Sequence, residues 1–248
     1  MSYDESDFKR ALDYSKMESY LPQSNLTDAN LEGADLSNIE LQHANLTNAN
    51  LEGAKLTGAK LVDATLTNAN LEGANLEGAD LFDADLEGAN LEGANLSKAI
   101  LTGDVNLIGV KLKNANLEGA NLEGADISKV DLCNVNLSKS NLFKVNLTKV
   151  DLRNTKLVEV NLTNAILVES NLSNTNLTNS ILINANLTYA NLKGANISSA
   201  NLTNTNLTNA DLTEMKMYKS ILTNTKITGA NLTNTNLNEA YLNGIKRF

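Results

Sequence analysis

From Leu26 to Leu242 a large apolar residue recurs at every fifth position, and this period limits the possible folds more than any other feature. Such centres run from 26 to 101, resume at 107 and end at 242, which makes 44 units, 40 of them centred on Leu. In an α-helix a step of five residues rotates a side chain by ~140°, so the centres would form no common face. In a flat strand an odd period sends successive Leu residues to opposite sides. The chain must therefore turn once per unit to keep every Leu inside.

The residues around each centre indicate how one unit is built. Two positions before the centre 25 of the residues are Ala, and immediately before it 24 are Asn and 7 are Asp. We expect the small residue and the Leu to point inward and the Asn or Asp between them to point outward. The last two positions form a corner, where the abundant Gly and Asn tolerate turn dihedrals. The pattern predicts an all-β solenoid of stacked coils.

The unit, as in Ala29-Asn30-Leu31-Glu32-Gly33, resembles the pentapeptide-repeat family over residues 24–244. The resemblance implies a right-handed quadrilateral β-helix with four units, or 20 residues, in each coil. The 44 units would then form 11 coils. Leu-Glu-Gly-Ala recurs from Leu31 to Leu91 at intervals of 20 residues, in agreement with that coil length.

Three segments and one irregularity follow from this register. Residues 1–23 are predicted to be a helical N-terminal cap, with the helix at about 5–19 covering the first coil. Residues 24–244 form the β-helix, with a one-residue insertion near Asp104 that bulges at a corner, and 245–248 form a tail. The C-terminal end is expected either to be thinly plugged by Ile245 and Phe248 or to pair with a second subunit as a homodimer.

Composition excludes several classes of function. With one His (His43) and one Cys (Cys133), the chain offers no disulfide framework, no convincing zinc site and no nucleophile–base pair. We therefore expect no enzyme activity, no cofactor and no metal. No apolar run approaches the ~18–20 residues that a membrane span requires, and a net charge of −9 argues against direct nucleic-acid binding. The N-terminal sequence lacks the features of a secretory signal, so a cytoplasmic location is expected.

Two faces of the predicted solenoid differ from the rest. One carries an acidic column, which comprises Glu32, Glu52, Glu72 and Glu92, and then changes sign at Lys113, Arg153 and Lys193. The adjacent face carries apolar residues at outward positions, and we predict that these residues contact a partner: Val62, Phe82, Ile100, Phe143, Ile181, Ile183, Ile221 and Tyr241.

These features favour a non-enzymatic structural or interaction protein, a rigid rod that presents flat faces to a protein partner. The alternative comes from the resemblance: some members of the family mimic duplex DNA and inhibit or protect DNA gyrase, a topoisomerase. The acidic first half fits that alternative. The absence of Phe at the centres and the net positive charge of residues 105–248 depart from it. A third hypothesis, an enzyme regulator or assembly scaffold, rests on no particular residue.

Overall fold

The computed structural model describes residues 20–245, which fall into two compact units, Met1–Asn121 and Leu122–Phe248. The helix predicted at about 5–19 and the last residues of the predicted tail, 246–248, lie outside the described residues. The described part of the chain contains no helix. Its β-structure consists of isolated parallel bridges rather than extended strands, and each pentapeptide contributes a single residue to them.

In unit 1 the bridges join residues that lie one coil apart. Tyr20 pairs with Glu40, Glu40 with Lys60 and Lys60 with Asp80, always at a separation of 20 residues. Three further columns of bridges follow the same rule, so four pentapeptides make one turn of a β-helix. The first coil already includes Tyr20 and the buried Leu21, and it therefore starts before the boundary at residue 24 that the sequence suggests.

Each pentapeptide turns through a hydrogen-bonded corner. In the pentapeptide centred on Leu26, the N–H of Ala29 donates to the carbonyl of Leu26 at 3.1 Å, and Asp28 between them has a φ of 58°. A positive φ at the third residue of a four-residue turn distinguishes type II from type I. Among residues 20–245, thirty non-glycine residues and all 14 glycines have a positive φ, and every one of them lies at this second corner position. None of them is Thr, Val or Ile, because a branched Cβ fits this conformation poorly.

The Asn or Asp before each centre closes the turn from outside. Asn25 Oδ1 accepts the backbone N–H of Thr27 at 3.3 Å and its hydroxyl at 2.7 Å. The same contact recurs along both units, for example between Asp126 Oδ1 and the N–H of Ser128 at 3.0 Å. This side-chain acceptor satisfies a corner N–H that the bridges leave unpaired. The abundance of Asn therefore has a local structural cause.

The extra residue of unit 1 lies at a bend formed by Gly103 and Asp104. Before the bend paired residues are 20 apart, as in Asp80 and Ile100; after it they are 21 apart, as in Asp85 and Asn106. The N–H of Asp104 donates to Asp83 Oδ1 at 2.6 Å. The insertion thus leaves the pairing on both sides intact.

Unit 2 repeats the 20-residue pairing, from Asp126 with Asn146 to Ile221 with Tyr241. Its interior is more polar than that of unit 1. Several small inward positions are buried Ser or Thr, and each hydroxyl donates to a Leu or Met carbonyl, as Ser180 does to Leu177 at 2.5 Å. Each of these inward hydroxyls therefore has a partner, which removes most of the cost of its burial, whereas the buried Thr228 Oγ1 has no hydrogen-bond partner among the described residues.

Candidate functional site

One face of unit 2 carries five of the apolar outward residues that the sequence analysis predicts to contact a partner. Its bridge residues pair in the order Asn141, Asn161, Ile181, Asn201, Ile221 and Tyr241. The residues two positions further along the chain lie on the same face: Phe143, Thr163, Ile183, Thr203, Thr223 and Asn243. We call these twelve residues the uncharged face, because none of them is Asp, Glu, Lys or Arg.

The apolar members of the uncharged face are open to solvent to different degrees. Ile181, Ile221 and Tyr241 are 41%, 36% and 64% exposed. Phe143 and Ile183 are partly exposed, and the ammonium of Lys144 lies 5.1 Å from the centroid of the Phe143 ring. The face is built on bridged backbone throughout, so its side chains stand in two rows on a sheet surface.

The other faces of unit 2 carry charge at the equivalent positions. Asp151 and Arg153 form an ion pair at 2.6 Å on one of them, and the Arg153 hydrogen bond to this carboxylate lowers the pKa of Asp151. Lys156 and Lys216 stand on another face, and Asp126 and Lys226 on a third. From residue 141 onward the two rows of this face carry no charged residue, unlike the other faces of unit 2, whereas one coil earlier Glu123 stands in the row of Phe143.

In unit 1 the predicted contact residues also share one face: Ile100 lies in the column of bridges formed by Lys60 and Asp80, and Val62 and Phe82 lie two residues after those two bridge residues. Phe82 is 42% and Ile100 36% exposed. Their neighbours are charged, because Lys60 and Asp80 stand in the same column and approach within 3.9 Å. In unit 1 the apolar side chains on this face therefore stand beside an ion pair, and the face is not neutral.

The acidic column of unit 1 is ordered by a ladder of amides. Asn50 donates to Asn30 Oδ1 at 3.2 Å and to Glu32 Oε2 at 3.3 Å. The same pair of bonds recurs one and two coils later, so Glu52 and Glu72 also accept from an Asn of the next coil. These bonds align the carboxylates in a row with the ~4.8 Å spacing of neighbouring strands.

Sequence reasoning overlooked exposed apolar residues on other faces. They are Ile108 in unit 1 and Ile166, Tyr189 and Tyr218 in unit 2, which are 41–59% exposed. Tyr189 occupies a corner with a φ of 60°, a position where the sequence pattern gives no reason to expect an aromatic side chain. Ile166 could have been found, because it replaces the Asn that normally precedes the centre.

The described residues contain no arrangement of catalytic type. His43 Nδ1 lies 3.5 Å from Asp63 Oδ2 at the surface, with no nucleophile against it. Within residues 20–245 no three His, Cys, Asp or Glu side chains are grouped as metal ligands would be. In the same range no helix is long and apolar enough to cross a membrane. An open groove lined by Ser138, Arg153 and Lys156 is polar.

Comparison with known protein families agrees with this architecture. The family model for pentapeptide repeats matches residues 24–61, 59–97 and 99–139, and a second model, the pentapeptide repeat region, matches residues 155–232. No curated protein matches the sequence.

Several solved structures are similar to this chain. HetL, a pentapeptide repeat protein involved in heterocyst differentiation regulation in the cyanobacterium Nostoc sp. strain PCC 7120, is 31% identical over 90% of this chain and 89% of its own, with a TM-score of 0.37. Rfr23 from the cyanobacterium Cyanothece 51142 is 32% identical over 66% of this chain and 87% of its own, with a TM-score of 0.21. Full-length QnrB1, a plasmid-mediated fluoroquinolone resistance protein, is 16% identical over 92% of this chain and 91% of its own, with a TM-score of 0.25. On the family models, which together match most of its residues, the chain belongs to the pentapeptide-repeat family.

Proposed function

We propose that this chain is a non-catalytic, right-handed β-solenoid that binds a protein partner through the uncharged face of unit 2. The observation that carries the proposal is the absence of charge from two adjacent rows of six outward positions, residues 141 to 243, in a chain of which 20% is charged. The partner that fits is a protein with a flat, weakly charged surface, because only such a surface loses little hydration on contact.

Physical chemistry favours this face over the others. Burying a charged side chain without a partner costs several kcal/mol, so charged faces bind only surfaces that match them charge for charge. The uncharged face has no such requirement. Its exposed Ile and Tyr side chains supply apolar area, and its Thr and Asn side chains supply hydrogen bonds at the rim. Aromatic anchors in an interface often contribute 2 kcal/mol or more, and Tyr241 is the most exposed aromatic of this face.

A pair of matched variants tests the proposal. Thr203 lies on the uncharged face and Thr208 on the neighbouring face, and each hydroxyl donates to the Asn two residues earlier at 2.6 Å. Thr203→Glu should lower the affinity for a captured and purified partner by at least about tenfold, because it buries a charge in the contact. Thr208→Glu should bind like the wild type. Equal affinities of the two variants would exclude the uncharged face as the contact surface.

The acidic column of unit 1 supports the second candidate, a DNA mimic that acts on DNA gyrase. The amide ladder holds Glu32, Glu52 and Glu72 in a regular row, as a mimic of a phosphate backbone needs. A supercoiling assay tests this candidate with the three residues changed to Gln, which keeps an oxygen acceptor for each amide but removes the charge. Inhibition by the wild type that the triple variant loses would favour mimicry, and no effect of either protein would exclude it.

Self-association through the C-terminal coil is a further part of the proposal. Leu242 is 42% exposed and Leu232 and Leu237 are partly exposed, although every earlier centre of unit 2 is at most 7% exposed. A second copy would cover these side chains. Sedimentation equilibrium should show a dimer that Leu242→Lys converts to a monomer with little change in melting temperature. A monomeric wild type at high concentration would refute this arrangement.

A further inference from the structure

The chain contains 40 Asn residues, all of them within the described part. Every Asn carries a side-chain amide that can deamidate when the backbone nitrogen of the following residue attacks its carbonyl carbon. Two conditions slow this attack: a hydrogen bond that holds the following N–H, and a large side chain on the following residue. The repeat imposes one or both of them on nearly every Asn.

The 24 Asn residues that precede a centre are all followed by Leu or Ile. For 20 of them the following N–H also donates to a carbonyl of the next coil, as the Leu202 N–H does to Ile221 at 2.7 Å. A further 14 Asn residues occupy the positive-φ corner. After each of these the next N–H donates to the Leu carbonyl of the turn, as Thr205 does to Leu202 at 3.0 Å. These bonds hold the nucleophilic nitrogen away from the side-chain amide.

Asn243 escapes both conditions. It is exposed and is followed by Gly244, and this is the only Asn–Gly pair in the sequence. Among residues 20–245 the Gly244 N–H has no acceptor, whereas the Gly194 N–H, at the same place in its turn, donates to Thr213 at 2.8 Å. Gly244 has a φ of 66°, which favours glycine, and an added Cβ would require the Asn224 side chain to move. The other Asn at the first corner position, Asn238, is followed by Glu239, which has a large side chain where Gly244 has none.

We infer that Asn243 is a site of spontaneous deamidation, at which the folded protein is modified before any other Asn. The Gly244 nitrogen bonds to the side-chain carbon of Asn243. The bond from this carbon to Nδ2 breaks, and ammonia leaves with the proton that the backbone nitrogen gives up. One water molecule then opens the five-membered imide at either carbonyl and leaves an aspartate or an isoaspartate at this position.

The product changes the surface proposed to bind a partner. Asn243 belongs to the uncharged face and lies beside Tyr241, so the modification places the first carboxylate there. This consequence rests on the proposed function. The modification itself does not, and it is measured without any partner.

The experiment compares Asn243 with an internal Asn–Gly pair made by Lys193→Asn. The new pair occupies the same place in its turn, but its Gly194 N–H is hydrogen-bonded to Thr213. The folded full-length variant is incubated at neutral pH, digested and analysed by mass spectrometry for deamidated and isoaspartyl peptides. We expect deamidation at 243 to be at least about tenfold faster than at 193 or at any natural Asn, a ratio equivalent to ~1.4 kcal/mol of barrier.

Three results decide the inference. Equal rates at positions 193 and 243 would overturn it, because the hydrogen bond would then give no protection. Earlier modification of any other Asn in the wild type, read from the same digests, would also overturn it and does not depend on the variant's folding. Asn243→Thr, which introduces the commonest residue at this position of the repeat, should remove the modified peptide and leave the melting temperature unchanged.

Discussion

Two valine substitutions at adjacent residues of one corner test whether the positive φ constrains the sequence. Thr178 and Asn179 are both at the surface of unit 2, so exposure alone predicts equal and small effects. Asn179 has a φ of 60°, and its N–H donates to Ser198 at 3.1 Å. The turn closes through the N–H of Ser180, which donates to Leu177 at 3.1 Å. The backbone at Asn179 is therefore held in the left-handed region from both sides.

The backbone argument gives the two substitutions different magnitudes. The left-handed region costs a residue with a Cβ about 1–2 kcal/mol, and Asn tolerates it better than a β-branched residue does. We expect Asn179→Val to lower the free energy of unfolding by ~1–2 kcal/mol. Thr178→Val removes an exposed hydrogen bond to Asn176 and should cost no more than ~0.5 kcal/mol. Val already occupies the position of Thr178 in other pentapeptides, as at Val158 and Val168.

The measurement is urea unfolding of the full chain, combined with hydrogen exchange of the amides around residues 177–200. Asn179→Gly is the control, because Gly accepts the dihedral and 14 other corners carry it. This variant should stay within about 0.5 kcal/mol of the wild type. Equal destabilisation by Asn179→Val and Thr178→Val would refute the claim that the dihedral selects the residue.

Three further predictions concern the core, the insertion and acid stability. Leu137 is fully buried, so Leu137→Lys should lower the melting temperature strongly, while Ser138→Lys should change stability by no more than about 0.5 kcal/mol; equal shifts would show that the assigned register is wrong. Deletion of Asp104 should leave a cooperative unfolding transition by circular dichroism, whereas deletion of Thr203 should abolish it by turning every later Leu outward; the reverse result would mean that the insertion lies elsewhere. The Thr213 hydroxyl and N–H lower the pKa of Asp211, so this carboxylate stabilises the fold above the unfolded pKa of ~3.9 and the contribution is lost as the pH falls. Asn offers the same acceptor without titrating, so Asp211→Asn should flatten the dependence of the urea midpoint on pH below about 4, and an unchanged slope would contradict this assignment.

The sequence was sufficient to predict the period, the inward Leu and the corner, because each follows from the geometry of a single pentapeptide. It also placed Ile181, Ile221 and Tyr241 on one face of unit 2, since a coil length of 20 residues fixes which positions align. The amide ladder beside Glu32 was not predicted, although its residues are equally periodic. Its bonds join residues 18 and 20 apart, and their formation depends on side-chain rotamers that periodicity does not specify.

The neutrality of the uncharged face could have been read from the sequence by counting charges column by column. The apolar residues alone do not reveal it. Thr163 and Asn201 are ordinary members of the repeat, and they matter here only because other faces carry charged residues at the equivalent positions. The exposed Tyr189 and Tyr218 were missed for a different reason. They stand at corner positions, where the local turn sets the direction of a side chain and the alternation of inward and outward residues no longer applies.

The turn-closing Asn before each centre also sets how the surface can change by mutation. Of the 44 residues at that position, 43 are Asn, Asp, Lys, Ile, Thr or Tyr, and each of the last five is reached from an Asn codon by one base change. The charged and apolar side chains at this position, Glu40 excepted, are therefore single-nucleotide variants of one neutral residue, made without moving a buried Leu. At the positive-φ corner the same base changes from Asn to Thr or Ile are equally accessible, yet neither residue occurs there. A gene for this fold can thus alter what a face binds one codon at a time, while the corner codons accept only part of the same mutations.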